Sequence, residues 1–228
     1  MHLVTTNESK VLVDCGAKPT SNRNEVQPFF AAPEMLPLDN IDAVVITHAH
    51  VDHIGMLPVL FKFGYKGPVY CTQPTRDLMT LLQMDYIKVA QAEGNEAPYS
   101  KSDIQECIKH VVDVNWGEKT DIAPDIKMTM ENAGHILGSS SVYMQIGEGR
   151  DEHKLLFSGD IKYEKSWLFD AATVRFNKVD TLVVESTYGG PQSIQPTTHQ
   201  ETKDLQYFIV DKQTTKGKIF CPVFAHAR

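Results

Sequence analysis

Four stretches of the chain share one pattern: a short aliphatic run, rich in β-branched residues, that stops abruptly at an acid or a histidine. "VLVDCG" reaches Asp14, "AVVITH" reaches His48, "KLLFSGD" reaches Asp160 and "TLVVES" reaches Glu185. Runs that are apolar throughout, with no alternation, suit strands buried on both faces, as in an α/β or layered sandwich protein. Laid side by side, such strands bring their ends together, and the carboxyl ends of strands in α/β sheets are the usual place for a site.

Helical patterns lie between these runs. The clearest, "PTRDLMTLLQMDYIKVAQAEG", opens on Pro74 and closes on Gly94, the usual asymmetry of helix ends. Met79, Leu82, Tyr86 and Val89 recur at helical spacing and read as core against the sheet. A second helix begins near Ser102, where Ser102 and Gln105 fit a capping box ahead of Ile104 and Ile108. Further on, strand "TLVVES", loop "YGGPQSIQP", a helix near 199–212 and strand "GKIFCPVF" form a crossover of the kind that joins parallel strands. A chain that enters a strand at "MHLV" and stops at "AHAR" directly after another reads as cut within a domain. There are no internal repeats.

Composition narrows the class. With 228 residues, 42% of them hydrophobic, the chain can bury a real core in one or two domains. No apolar stretch approaches the roughly 18 residues of a membrane span, and the N-terminus lacks the basic start and apolar core of a signal peptide. The expectation is a cytoplasmic protein without a membrane partner. A formal charge of -7 argues against coating nucleic acid through bulk positive charge, which depends on many lysine and arginine contacts to phosphate. It leaves a nuclease open, because metal ions can supply positive charge where a phosphate sits. Cys15, Cys71, Cys107 and Cys221 are widely spaced with no C-x-x-C pair, so they read as buried free thiols.

The chemistry concentrates in "THAHVDH", residues 47–53, directly after an apolar run. Burying imidazoles and a carboxylate without partners costs about 1–3 kcal/mol for each unsatisfied group, so a packing role explains it poorly. In extended chain His48 and His50 share a face, and Asp52 and His53 follow as the chain turns. Imidazole with carboxylate suits zinc or a similar metal, and the spacing differs from H-E-x-x-H, which excludes a zincin. "NAGHILGSSS" presents His135 in a loop between Gly134 and Gly138, with serines at hand for nearby backbone. "FSGD" adds Asp160, whose two oxygens can bridge two metals. Six donors are enough for two ions, and such pairs clamp a phosphoryl or acyl group while acidifying a water. His2, His110, His153, His199 and His226 have no companion ligands and read as surface or satisfied histidines.

"THAHVDH", "AGHILGSS" and "FSGD" together resemble the signature set of the metallo-β-lactamase fold, a four-layered αββα sandwich. "VVESTYGG" is similar to the first motif of the β-CASP branch of nucleases that process RNA and DNA, and most resembles archaeal homologues of the cleavage and polyadenylation specificity factor endonuclease subunit. The resemblance runs from about Val11 to Phe224. It implies a metallo-β-lactamase domain over 1–190, incomplete, and the beginning of an inserted β-CASP domain over 191–228. It further implies two zinc ions, one held by His48, His50 and His135, the other by Asp52 and His53, with Asp160 bridging. Asp14 would orient these ligands from behind. Glu185 would polarise a histidine that protonates the leaving oxygen, so that Asp52, Asp160 and Glu185 take part in catalysis.

The activity implied is endonucleolytic hydrolysis of RNA by a zinc-activated hydroxide, with RNA as substrate and a second copy or processing-complex subunits as partners. By the family's pattern a last metal-binding histidine and the leaving-group histidine do not follow in these residues, and "PVFAHAR" departs from the usual valine and glycine before the arginine. The expectation is therefore that this chain alone is weak or inactive. Competing readings are a thioester or lactam hydrolase of the same fold, a DNA-processing relative, and a scaffold subunit without activity. Retention of six ligands speaks against the last.

Overall fold

A computed structural model describes residues 1–18, 32–173, 176–194, 196–214 and 217–223. Two five-stranded sheets lie face to face. The first contains β1 (His2–Thr5), β2 (Lys10–Val13), β3 (Ala43–Val45), β4 (Val69–Cys71) and β5 (Val111–Asp113) in that spatial order. The β1–β2 pair is antiparallel and the rest are parallel. The second sheet runs β10-β9-β8-β7-β6, built from β6 (Lys119–Ala123), β7 (Ile126–Asn132), β8 (Ser140–Ile146), β9 (His153–Phe157) and β10 (Thr181–Val183). Its pairs are antiparallel except β9–β10.

The period of two sorts each strand's residues between two cores. Val11 and Val13 of β2, and Ala43 and Val45 of β3, meet Met128, Met130, Val142, Met144 and Phe157 of the second sheet. Leu12, Val44 and Ile46 face the other way, into a core shared with the helices. Both faces are therefore buried, as runs without alternation require. Each fully buried aliphatic side chain contributes about 1.5–3 kcal/mol.

The helices cover the outer face of the first sheet. They are α1 (Val51–Ile54), α2 (Leu57–Lys62), α3 (Gln73–Ala92) and α4 (Lys101–Lys109). In α3 the buried residues are Thr75, Met79, Gln83 and Ile87, a strict i, i+4 stripe. Met79 is core as expected, Leu82 and Tyr86 pack at its margin, and Val89 is exposed. The stripe is one residue out of phase with the apolar pattern because Gln83 is buried to donate to the Ile54 carbonyl.

Helix α4 begins earlier than its sequence suggests. Ser100 accepts from the Asp103 backbone, and the Asp103 carboxylate accepts from the Ser100 N–H. The box is thus Ser100–Asp103, not Ser102–Gln105, because an aspartate at the third helical position closes the same reciprocal pair as a glutamate.

Other expectations change toward the end of the chain. A helix α5 spans Thr198–Thr214 with no buried residue, but "GKIFCPVF" is not a strand within 217–223. No neighbouring strand pairs with it among the described residues, Pro222 offers no N–H, and Phe220 and Val223 are exposed. β10 is an edge strand with Leu182 exposed, so its apolar run is not buried on both faces. Cys15, Cys71 and Cys107 are buried, whereas Cys221 is exposed. His226 lies outside the described residues. No described helix is long and apolar enough to cross a membrane. Three layers are therefore in place, in the order helices, sheet, sheet.

Candidate metal centre

All the strand-end residues singled out in the sequence come to one edge of the two sheets. Asp14 follows β2, His48 and His50 follow β3, Asp160 follows β9 and Glu185 follows β10. β7 runs in the same direction as β9, since both are antiparallel to β8. Its exit therefore delivers the loop bearing His135 to the same edge.

His48 is fully buried, and its Nε2 lies 3.0 Å from Nδ1 of His50. His135 Nε2 lies 3.0 Å from the same His50 nitrogen. Asp160 Oδ2 stands 3.7 Å from His48 and 3.6 Å from His135. One ligand atom from each of these four residues falls within 4.8 Å of the others. Donors about 2.0–2.1 Å from a tetrahedral metal ion stand about 3.3 Å apart, and the four contacts of 3.0–3.7 Å lie near that spacing, so the donor set suits a divalent metal.

The second group is more open. His53 Nε2 lies 3.7 Å from Asp52 Oδ2 and 3.4 Å from Asp160 Oδ1. The two oxygens of Asp160 thus face different sets of residues. Asp52 is about half exposed at 47%.

Behind these side chains Asp14 is the organising acid. Its carboxylate accepts from the Thr47 N–H and hydroxyl and from Nδ1 of His53 at 2.8 Å. Asp14 has φ of 58°, unique among the described non-glycine residues. That left-handed conformation costs about 1–2 kcal/mol and turns the carboxylate back under the histidines. Thr47 Oγ1 also meets Nδ1 of His48 at 3.0 Å.

The electrostatics follow the geometry. Burial would lower the His53 pKa, but hydrogen bonds to Asp14 and Asp160 outweigh it and raise it to about 10. The bond from His53 holds Asp160 below the usual carboxylate range against its partial burial. Burial lowers His135, which favours the neutral imidazole that ligates metals.

Residues around the donors shape the site, and one of the serines beside His135 satisfies nearby backbone as expected. Buried Ser139 accepts from the N–H groups of His135 and Ile136, holding that loop. Thr72 and Thr75 donate to the Gly138 carbonyl from the start of α3. Gly16 is needed because a Cβ there would meet the Asp52 carbonyl oxygen at 1.5 Å. Ser139 and Gly16 stood within quoted stretches without a role of their own, and Thr72 and Thr75 stood in none that bore on the site.

A fold of two stacked sheets with a histidine and aspartate cluster at their edge defines a class, and the chain belongs to it: residues 9–208 match the beta-lactamase superfamily domain. This is the metallo-β-lactamase fold, which suggests a metal-dependent hydrolase. Among curated proteins the chain is 48% identical over 226 residues to the transcription termination factor FttA of Methanosarcina mazei. It is 44% identical over 225 residues to that of Methanocaldococcus jannaschii and 45% over 232 to that of Thermococcus kodakarensis. These alignments cover 99% of the chain but 35–36% of the relatives, so the chain spans about a third of their length. Among solved structures, a motif mutant of a metallo-β-lactamase from Cronobacter sakazakii matches with a TM-score of 0.46 and 17% identity, over 68% of this chain and 55% of that one.

Proposed function

We propose that the chain is the metal-binding core of an endoribonuclease that hydrolyses RNA phosphodiester bonds with two zinc ions. The observation that carries this reading is the convergence of three imidazoles and one carboxylate, contributed from residues 48 to 160, on one point. His48, His50 and His135 would hold one zinc, Asp52 and His53 the other, and Asp160 would reach both through its separate oxygens. Zinc ions bound there would acidify a water toward neutral pKa and neutralise charge on the phosphoryl oxygens.

The protein's own residues do the rest. Asp14 engages Nδ1 of His53 and so turns Nε2 toward Asp52 and Asp160, where a bound metal would take the place of its proton. Partly exposed Asp52 stands on the open side of the group, where substrate and water would enter. Residues 191–228 would begin an inserted β-CASP domain, whose relatives act on nucleic acid, and the name borne by the FttA relatives is in keeping with action on a transcript. RNA, a second copy and processing-complex subunits are the proposed partners.

Two measurements test this. Elemental analysis of protein purified without added metal should find about two zinc ions per chain, reduced in His50→Ala and Asp160→Ala; folded protein without metal would overturn the centre. In the full-length protein, end-labelled single-stranded RNA should be cut internally and cutting should stop with chelator. Hydrolysis of DNA or a thioester with RNA left intact would overturn the substrate.

A further inference from the structure

Asp160 is asked to keep two oxygens on two groups of residues at once, so its backbone must be held. On its near side Gly159 has φ of 57°, and a Cβ there would come within 3.0 Å of the Ser140 carbonyl oxygen and the Thr47 Cβ. On its far side the next N–H, that of Ile161, donates to Oε1 of Glu185 at 2.9 Å. The Glu185 backbone N–H in turn donates to Ser158 Oγ at 3.1 Å, and the Ser158 N–H to the Val183 carbonyl at 2.9 Å. The end of β10 therefore brackets the turn "SGDI" along its whole length.

From this we infer that Glu185 is a positioning residue for Asp160, acting through the backbone of Ile161. This is a different task from polarising a histidine. It needs an acceptor oxygen at the right reach, whereas polarisation needs a negative charge. A side-chain oxygen accepting from a backbone N–H makes a short-range tether, and loss of such outer partners typically weakens metal binding 10–100-fold. The inference rests on the proposed metal centre, with Asp160 as the ligand that feels the tether.

Glutamine and aspartate separate the two tasks. Glu185→Gln keeps an acceptor oxygen at the same reach and loses the charge; Glu185→Asp keeps the charge and is one methylene short. Cobalt(II) is titrated into the metal-free 228-residue chain and read by its visible absorption, with near-ultraviolet circular dichroism as the control for folding. Glu185→Gln should match the parent in affinity and spectrum. Glu185→Asp and Glu185→Ala should bind about tenfold or more weakly, with an altered spectrum.

If glutamine weakens binding and aspartate does not, the charge is what matters and the tether is overturned. Equal binding by all variants overturns it too. A folded parent that binds no cobalt overturns the metal centre itself, and the tether with it. Should Glu185→Ala fail to fold, the contrast between glutamine and aspartate still decides.

Discussion

Asp14 shows how much a single residue can carry. It sits in a left-handed conformation, accepts three hydrogen bonds and fixes the orientation of His53 through Nδ1. Asparagine would still accept from the Thr47 N–H, but its amide would oppose the N–H of His53 with another donor. Asp14→Asn should therefore weaken zinc binding about 10–100-fold by isothermal titration, while the fold is kept. Unchanged affinity would show that His53 does not depend on Asp14 for its orientation. At this scale the sequence was a good guide to identity and a poor one to partnership. "THAHVDH" announces its donors by their density, whereas Ser139, Thr72 and Gly16 are common residue types whose importance comes from what packs against them.

Elements were legible where their own chemistry decides their limits. α3 keeps the proline start and glycine exit read from its sequence, but its buried stripe shifted because a polar residue, Gln83, found a carbonyl across the interface. α4 tests how local a cap is. Ser100→Ala should destabilise the chain by about 1 kcal/mol in urea unfolding, with Ser102→Ala costing less. The reverse order would return the cap to the position suggested by sequence. "GKIFCPVF" failed as a strand for the complementary reason: β propensity describes fitness for a paired, half-buried surface, and no partner strand flanks 217–223 among the described residues.

For the whole molecule the site is a junction between layers. The Ser140 N–H donates to the Thr47 carbonyl at 2.8 Å, joining the second sheet to the first beside the buried His48. Zinc bridging ligands from both sheets should therefore stabilise the assembly as a unit. At 100 times its dissociation constant the metal should add about 2.7 kcal/mol. In a domain of this size that raises Tm by about 5–10 °C, measured by scanning calorimetry with and without chelator. A Tm that ignores zinc would mean that the donors do not act together.

The sequence by itself determined that β2 and β3 are buried on both faces and which residues carry donor atoms, because burial and donor chemistry there are written in side-chain type and spacing. Only the tertiary structure decided that His135 stands 3.0 Å from His50, 85 positions earlier, and that Asp160 turns one oxygen to each group. It also decided that Glu185 accepts from the backbone beyond Asp160. Those relations depend on the direction in which β7 and β9 leave the second sheet and on the depth at which the two sheets pack. Both are set by the sum of many weak contacts, which no local stretch of sequence contains.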